Sequence, residues 1–239
     1  MTAPAIETAD LAKRYGRITA LAGLSMSIQR GDCFGFLGPN GAGKTTAVKL
    51  LLGLARPTPG EAWVLGAPVS DERAHRGARE RIGYLPELFR YQGWLTAREV
   101  LAAHGALAGL ERHLWEREID QALALVGLAD RGDDRVGTFS KGMQQRLGLA
   151  VALLGHPELV VLDEPTSALD PVGRHDVRQI IRGLRERGTT VFLNSHLLGE
   201  VELVCDRVAI VDHGRVIATG TLAELLRAGS VRVRVTGLT

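Results

Sequence analysis

The chain has 239 residues, 45% of them apolar and 23% charged, with a formal charge of +2. That length buries one sizeable core with an appended subdomain rather than two full domains, and the composition excludes a disordered chain. So small a net charge leaves no electrostatic footprint for nucleic acid, and no nucleic-acid partner is expected. The longest apolar run, residues 147–155, stops at His156-Pro157, far short of the ~20 residues that cross a bilayer. The N-terminus lacks the zones of a signal peptide, so service to a membrane is expected to come from outside the lipid. Cys33 and Cys205 lie in apolar runs without a CxxC or Cys/His cluster and read as reduced core residues of a cytosolic protein.

Residues 5–30 alternate loosely between apolar and polar, as short half-buried strands do. Residues 33–37 form an apolar run ending at Gly38 and predict a buried strand; a glycine loop and a helix over 45–54 follow. Pro57-Thr-Pro-Gly60 closes that unit, residues 63–65 predict a strand, and residues 71–80 read as a polar, Arg-rich connection. The spacing then predicts helices over 96–107, 114–126 and 140–154. The last of these is expected to turn Met143, Leu147, Ala150, Val151 and Leu154 inward. Strand character returns at 159–162, 190–193 and 208–211, with a helix over 171–186 that buries Val177, Ile180, Ile181 and Leu184. Strands alternating with helices predict an α/β fold with a parallel sheet, into which the helical block at 94–155 is inserted.

Gly38-Pro39-Asn40-Gly41-Ala42-Gly43-Lys44-Thr45 fits G-x-x-x-x-G-K-[ST], between a strand and a helix. Glycines let successive N–H groups turn toward an anion, and the helix N-terminus adds about half a positive charge. Lys44 is placed for the β/γ-phosphates of a nucleotide and Thr45 for Mg²⁺. Four apolar residues then deliver Asp163-Glu164 to a strand's C-terminal end, where open α/β sheets bind ligands. Asp163 reads as a Mg²⁺ ligand through water and Glu164 as the general base that polarises a water. Ser140 is a good N-cap, yet Gly142 early in the same helix lowers its propensity by about 1 kcal/mol relative to alanine, which fits a backbone that must approach a second anion.

The ordered set 38–45, Tyr84-Leu-Pro-Glu87, 139–146, 159–164, Ser167-Ala-Leu-Asp170 and His196 resembles the nucleotide-binding domains of ABC transporters, from Tyr15 to about Leu226. The resemblance implies a P-loop ATPase core with an antiparallel β subdomain and a helical subdomain at about 88–157, all within residues 1–230. It implies MgATP hydrolysis by a head-to-tail dimer with a second copy or a paralogous ATPase subunit. Each ATP would lie between residues 38–46 of one chain, Thr46 included, and Ser140, Lys141, Gly142 and Met143 of the other. It further implies that Tyr15 stacks on adenine, that His196 is the switch histidine contacting the γ-phosphate, and that residues 167–170 communicate across the dimer. A separate permease chain would hold the subunit at the inner face of the cell membrane, and aromatics Phe89, Tyr91 and Trp94 point to residues 87–96 as its receptor. Two features depart from the usual pattern. Glu87 stands where glutamine is common and would remain an oxygen ligand near Mg²⁺. Phe139-Ser-Lys-Gly-Met143 replaces Leu-Ser-Gly-Gly-Gln, a variant similar to exporters of drugs, lipids or polysaccharides. The alternative is a soluble ABC-type ATPase in an assembly complex; a kinase or GTPase would have no use for the Ser140 motif, and the chain has no N-K-x-D guanine loop. Residues 231–239 alternate as a terminal strand, either frayed or the start of a further domain.

Overall fold

A computed structural model describes residues 3–167 and 169–227; the strand expected at 231–239 lies outside them. The chain opens with β1 (Ile6–Tyr15) and β2 (Ile18–Ile28), an antiparallel pair. These strands are longer than the sequence pattern suggests because a register shift between Thr8 and Leu11 breaks the alternation, with Asp10 at φ 47°. β4 (Glu61–Val64) and β5 (Ala67–Pro68) extend this sheet in the order β2-β1-β4-β5.

A second sheet follows from the buried runs. It contains β3 (Cys33–Leu37), β6 (Ile82–Leu85), β7 (Leu159–Asp163), β8 (Thr190–Ser195), β9 (Arg207–Asp212) and β10 (Arg215–Gly220), in the order β10-β9-β3-β8-β7-β6. All neighbours from β9 to β6 are parallel, and β10 runs antiparallel to β9. β3, β7 and β8 are buried at every position, as parallel strands covered on both faces must be.

One face of this sheet packs on α1 (Lys44–Leu51) and the antiparallel sheet: Ala47, Val48 and Leu51 meet Leu24, Val64, Phe36 and Phe192. The other face carries α3 (Ala97–Leu107), α4 (Trp115–Leu125), α5 (Lys141–Leu153), α6 (Pro171–Glu186) and α7 (Leu198–Val204). The predicted inward face of α6, Val177, Ile180, Ile181 and Leu184, is the buried one.

Four expectations change. Residues 71–80 hold a helix, α2 (Glu72–Arg79), capped by Asp71, whose carboxylate accepts from Arg73 and Ala74 N–H; it buries only His75 and Ala78, too little to print an apolar period. α1 stops at Leu51 rather than 54, because Gly53 takes φ 69° and Leu54 faces solvent. α5 is buried nearly all round: Gln145, Leu147, Gly148, Leu149, Ala150, Ala152 and Leu153 are inside, while Met143, Val151 and Leu154 are half-buried. The two thiols are brought together, with Cys33 Sγ 3.7 Å from Cys205 Sγ, both free and Cys205 only partly covered.

Candidate functional site

Strand order assembles the site. β8 lies between β3 and β7, so the loops leaving the C-terminal ends of all three emerge side by side. Register aligns Leu37 with Ser195 and Asp163 with Asn194, which sets Gly38 level with His196 and Glu164 one residue below them. β6 joins β7 on its far side and adds Glu87 to the same edge.

The loop after β3 needs its glycines. A Cβ on Gly38 would stand 2.3 Å from Val211 O, and Gly43 combines φ 98° with a site where a Cβ would be 2.3 Å from Ala20 O. Gly43 also heads α1 with no side-chain cap, which leaves the helix N-terminus for a ligand. Lys44 is 7% exposed and donates from Nζ to Gly38 O at 2.7 Å and Pro39 O at 3.3 Å. Burial pulls its pKa down, opposed by the charges of Glu164, Asp163 and Glu87. Pro39, Asn40, Gly41 and Thr45 are exposed; Thr46 is half-buried and Ala42 is buried.

The carboxylates face that lysine. Asp163 is 2% exposed and accepts from Asn194 Nδ2. Burial holds its carboxyl above the usual range, with Glu87 and Glu164 adding to the shift while Asn194 and Lys44 oppose it. Glu164 is buried and adopts φ 51°, a strained conformation for a residue with a Cβ, held by its N–H bond to Asn194 O at 2.9 Å. Its Oε1 lies 2.9 Å from His196 Nδ1 and 3.9 Å from Lys44 Nζ, and its Oε2 has no hydrogen-bond partner. A buried carboxylate oxygen left open beside a histidine suits a water that must be oriented. Glu87 is exposed, and its charge joins that of Asp163 and burial in pushing the Tyr84 phenol up to about 12.

Ser140 takes its capping role on α5, where Oγ accepts from Met143 N–H at 3.2 Å. Ser140 and Lys141 are exposed; Gly142 and Met143 are half-buried. Their recorded bonds stay on their own helix, so the structure does not join them to the Lys44–Glu164 cluster. Tyr15 is 48% exposed beneath Lys13 Nζ, 4.9 Å from its ring centroid. The aromatic loop divides: Phe89 and Tyr91 pack on the core, while Trp94 and neighbouring Leu88 are 72% and 88% exposed.

Two residues of the site were not foreseen. Asn194 binds Asp163 through its amide and Glu164 through its carbonyl, and Gln145 of α5 reaches Pro165 O at 2.8 Å. Asparagine ending an apolar strand run, and glutamine inside an apolar helix, were the available signals.

The donor set fits a magnesium nucleotide. Gly38 and Gly43 let the loop pack where a Cβ would meet backbone, a lysine and an uncapped helix N-terminus meet there, and Asp163 feels the charge of Glu87, while Thr45 is exposed in the first turn of α1.

This is the arrangement of a P-loop nucleotide-binding α/β protein. The chain matches the ABC transporter family over residues 21–167, and it belongs to that family. It is 42% identical over 216 residues to the bacitracin transport ATP-binding protein BcrA of Bacillus licheniformis, covering 89% of this chain and 68% of that protein. It is 39% identical over 228 residues to the Nod factor export ATP-binding protein I of Burkholderia orbicola, covering 95% and 74%. A solved dimer of the ATP-binding cassette MJ0796, in a post-hydrolysis state with ADP and Pi, is 25% identical with a TM-score of 0.80, covering 91% of this chain and 98% of that one. The chain spans 64% of the length of an ABC transporter ATP-binding protein of Synechocystis sp. to which it is 44% identical. No helix among the described residues is long and apolar enough to cross a membrane.

Proposed function

We propose that the chain is the MgATP-hydrolysing subunit of a transporter and powers export by a separate membrane permease. The observation that carries this is the convergence of Lys44, Asp163, Glu164 and His196 at the ends of three adjacent strands, with Glu164 Oε2 unpartnered. Residues 38–46 would wrap the phosphates, with Lys44 moving from Gly38 O to the β/γ-phosphates. Tyr15 would stack on adenine. Thr45, Asp163 and Glu87 would hold Mg²⁺, which neutralises phosphate charge when bound. Glu164 would take the proton of the attacking water, and His196 would hold the carboxylate and contact the γ-phosphate.

Ser140, Lys141, Gly142 and Met143 would complete the site of a second subunit, identical or paralogous. The dimer reported for MJ0796 supports this, as does the exposure of Ser140 and Lys141 at the head of α5. The helical block at about 88–157, within a domain spanning 1–230, would carry Ser140 into that contact. Exposed Leu88 and Trp94 would supply the apolar face for a permease segment at the inner side of the cell membrane; the bacitracin transport relative supports transport and the Nod factor export relative supports its direction. An assembly ATPase without a permease is the second reading.

Mixing tests the composite site. Ser140→Arg and Lys44→Ala chains should each be silent, and an equal mixture should recover roughly a quarter of wild-type ATPase, one intact site in each mixed dimer. Full activity of Ser140→Arg alone, at dilutions where no dimer forms, would overturn the reading.

A further inference from the structure

α6 and α7 flank the Glu164–His196 contact: α6 follows the loop that starts at Glu164, and α7 begins two residues after His196. α7 has seven residues, and Leu197 at its N-cap supplies no side-chain hydrogen bond. So short a helix has little stability of its own and takes its position from what it touches. Val201 and Val204 anchor one side in the core. On the other, Glu200 accepts from Arg178 Nη1 of α6 through both carboxylate oxygens at 3.0 Å, with Arg174 Nη1 at 3.9 Å. The Arg178 and Glu200 side chains are 18% and 12% exposed, and they line a narrow crevice together with Pro165, Thr166, Leu193 and Ser195. The pair therefore sits beside the loop after Glu164 and the strand end before His196 at once. By contrast, Glu158 pairs with Arg30 and Arg81 in more exposed surroundings, just before the N-terminal end of β7 and away from the site.

We propose that Glu200 and Arg178 are positioning residues for hydrolysis: their ion pair locks α7 to α6 and keeps His196 in register with Glu164. The proposal rests on the ATPase reading above. Misplacing a reacting group by about 1 Å costs on the order of 10²-fold in rate, whereas the phosphate loop lies on β3 and α1 and is not held by this pair.

The test compares wild type, Glu200→Gln, Arg178→Gln, Arg178→Lys and Glu158→Gln by steady-state ATPase, ATP affinity and Tm. Glu200→Gln and Arg178→Gln should lower kcat by about 10-fold or more with ATP affinity within about twofold; Arg178→Lys should retain most activity. Glu158→Gln, which also breaks an ion-pair network, should keep kcat whatever it does to Tm. Wild-type kcat in folded Glu200→Gln, or an equal fall of kcat in Glu158→Gln, overturns the clamp while leaving the ATPase reading intact. A wild-type chain that hydrolyses no ATP overturns both.

Discussion

Glu164→Gln should separate chemistry from folding. The carboxylate is 6% exposed, with Oε1 against His196 and 3.9 Å from Lys44, and with Oε2 unpartnered. The amide keeps the size and an oxygen for His196 Nδ1. It loses attraction to Lys44, on the order of 4 kcal/mol for unit charges 4 Å apart at an effective dielectric of ~20. Against this, it removes a buried charge with one oxygen unsolvated and relieves repulsion on Asp163, whose carboxyl Glu164 helps to push up. Desolvation and attraction of buried pairs nearly cancel, so stability should change by about 1 kcal/mol or less, roughly 2–4 °C in Tm. Hydrolysis has no such compensation, because an amide cannot take the proton of water. Turnover should fall by about 10²-fold or more, equivalent to roughly 2.7 kcal/mol of barrier, with ATP affinity retained. Phosphate release, nucleotide binding and thermal melting read these three effects, and sedimentation with ATP should show a dimer that persists. Hydrolysis near the wild-type rate would refute the general-base assignment, and a Tm loss beyond about 10 °C would refute the electrostatic balance.

Lys44→Ala acts on binding. It deletes a charged donor now held by Gly38 O and Pro39 O, and ATP affinity should fall by about 10–100-fold; a Kd within threefold of wild type, read by a fluorescent nucleotide, would contradict it. His75 should contribute to loss of stability in acid. It is 2% exposed on α2, its ring beside the carbonyl ends of Leu51 and Leu52 but short of hydrogen-bond geometry, and burial, then Arg79, depress its pKa below 6.5. The folded chain keeps it neutral while the unfolded chain protonates it, so stability is lost as pH falls below about 6.5, by up to ~1.4 kcal/mol per pH unit until the folded pKa is passed. The drop in Tm between about pH 7.5 and pH 5.5 should be smaller in His75→Gln, and an unchanged drop would assign the acid lability to other groups such as His104, which burial shifts the same way.

The candidate site was legible where an apolar strand delivers a glycine loop or a polar residue to its end. Gly38 after β3, Asp163-Glu164 after β7 and His196 after β8 all follow that rule, and strand order then places them together. What escaped depends on partners distant in sequence. Asn194 is an unremarkable residue until β8 is set beside β7 and its amide meets Asp163. Gln145 finds a backbone carbonyl, which no side-chain pattern announces. β6 is four residues long and carries Gly83, where a Cβ would stand 1.8 Å from Ala152 O, so its need for glycine comes from α5 packing across it. The same cause split the aromatic loop: Phe89 closes over Gly148 of α5, while Trp94 has nothing to cover it among the described residues.

The shifted groups suit an arrangement that would take a charged ligand. Burial depresses the Lys44 pKa and raises that of Asp163, so each charge is held where the protein alone solvates it poorly. Their mutual attraction is a partial remedy, since Lys44 also faces Glu164 and Asp163 also faces Glu87. A polyphosphate against Lys44 and a divalent cation against Asp163 relieve the two penalties together, and in opposite senses: the first draws the lysine toward its charged form, the second draws the aspartate toward its own. A structural ion pair would have been closed up to hydrogen-bond distance and fully satisfied. Here Lys44 and Glu164 stop at 3.9 Å, the lysine leans on loop carbonyls, and Glu164 keeps an oxygen unused. The fold therefore keeps Lys44 and Glu164 apart, a separation of charge that would suit a magnesium nucleotide.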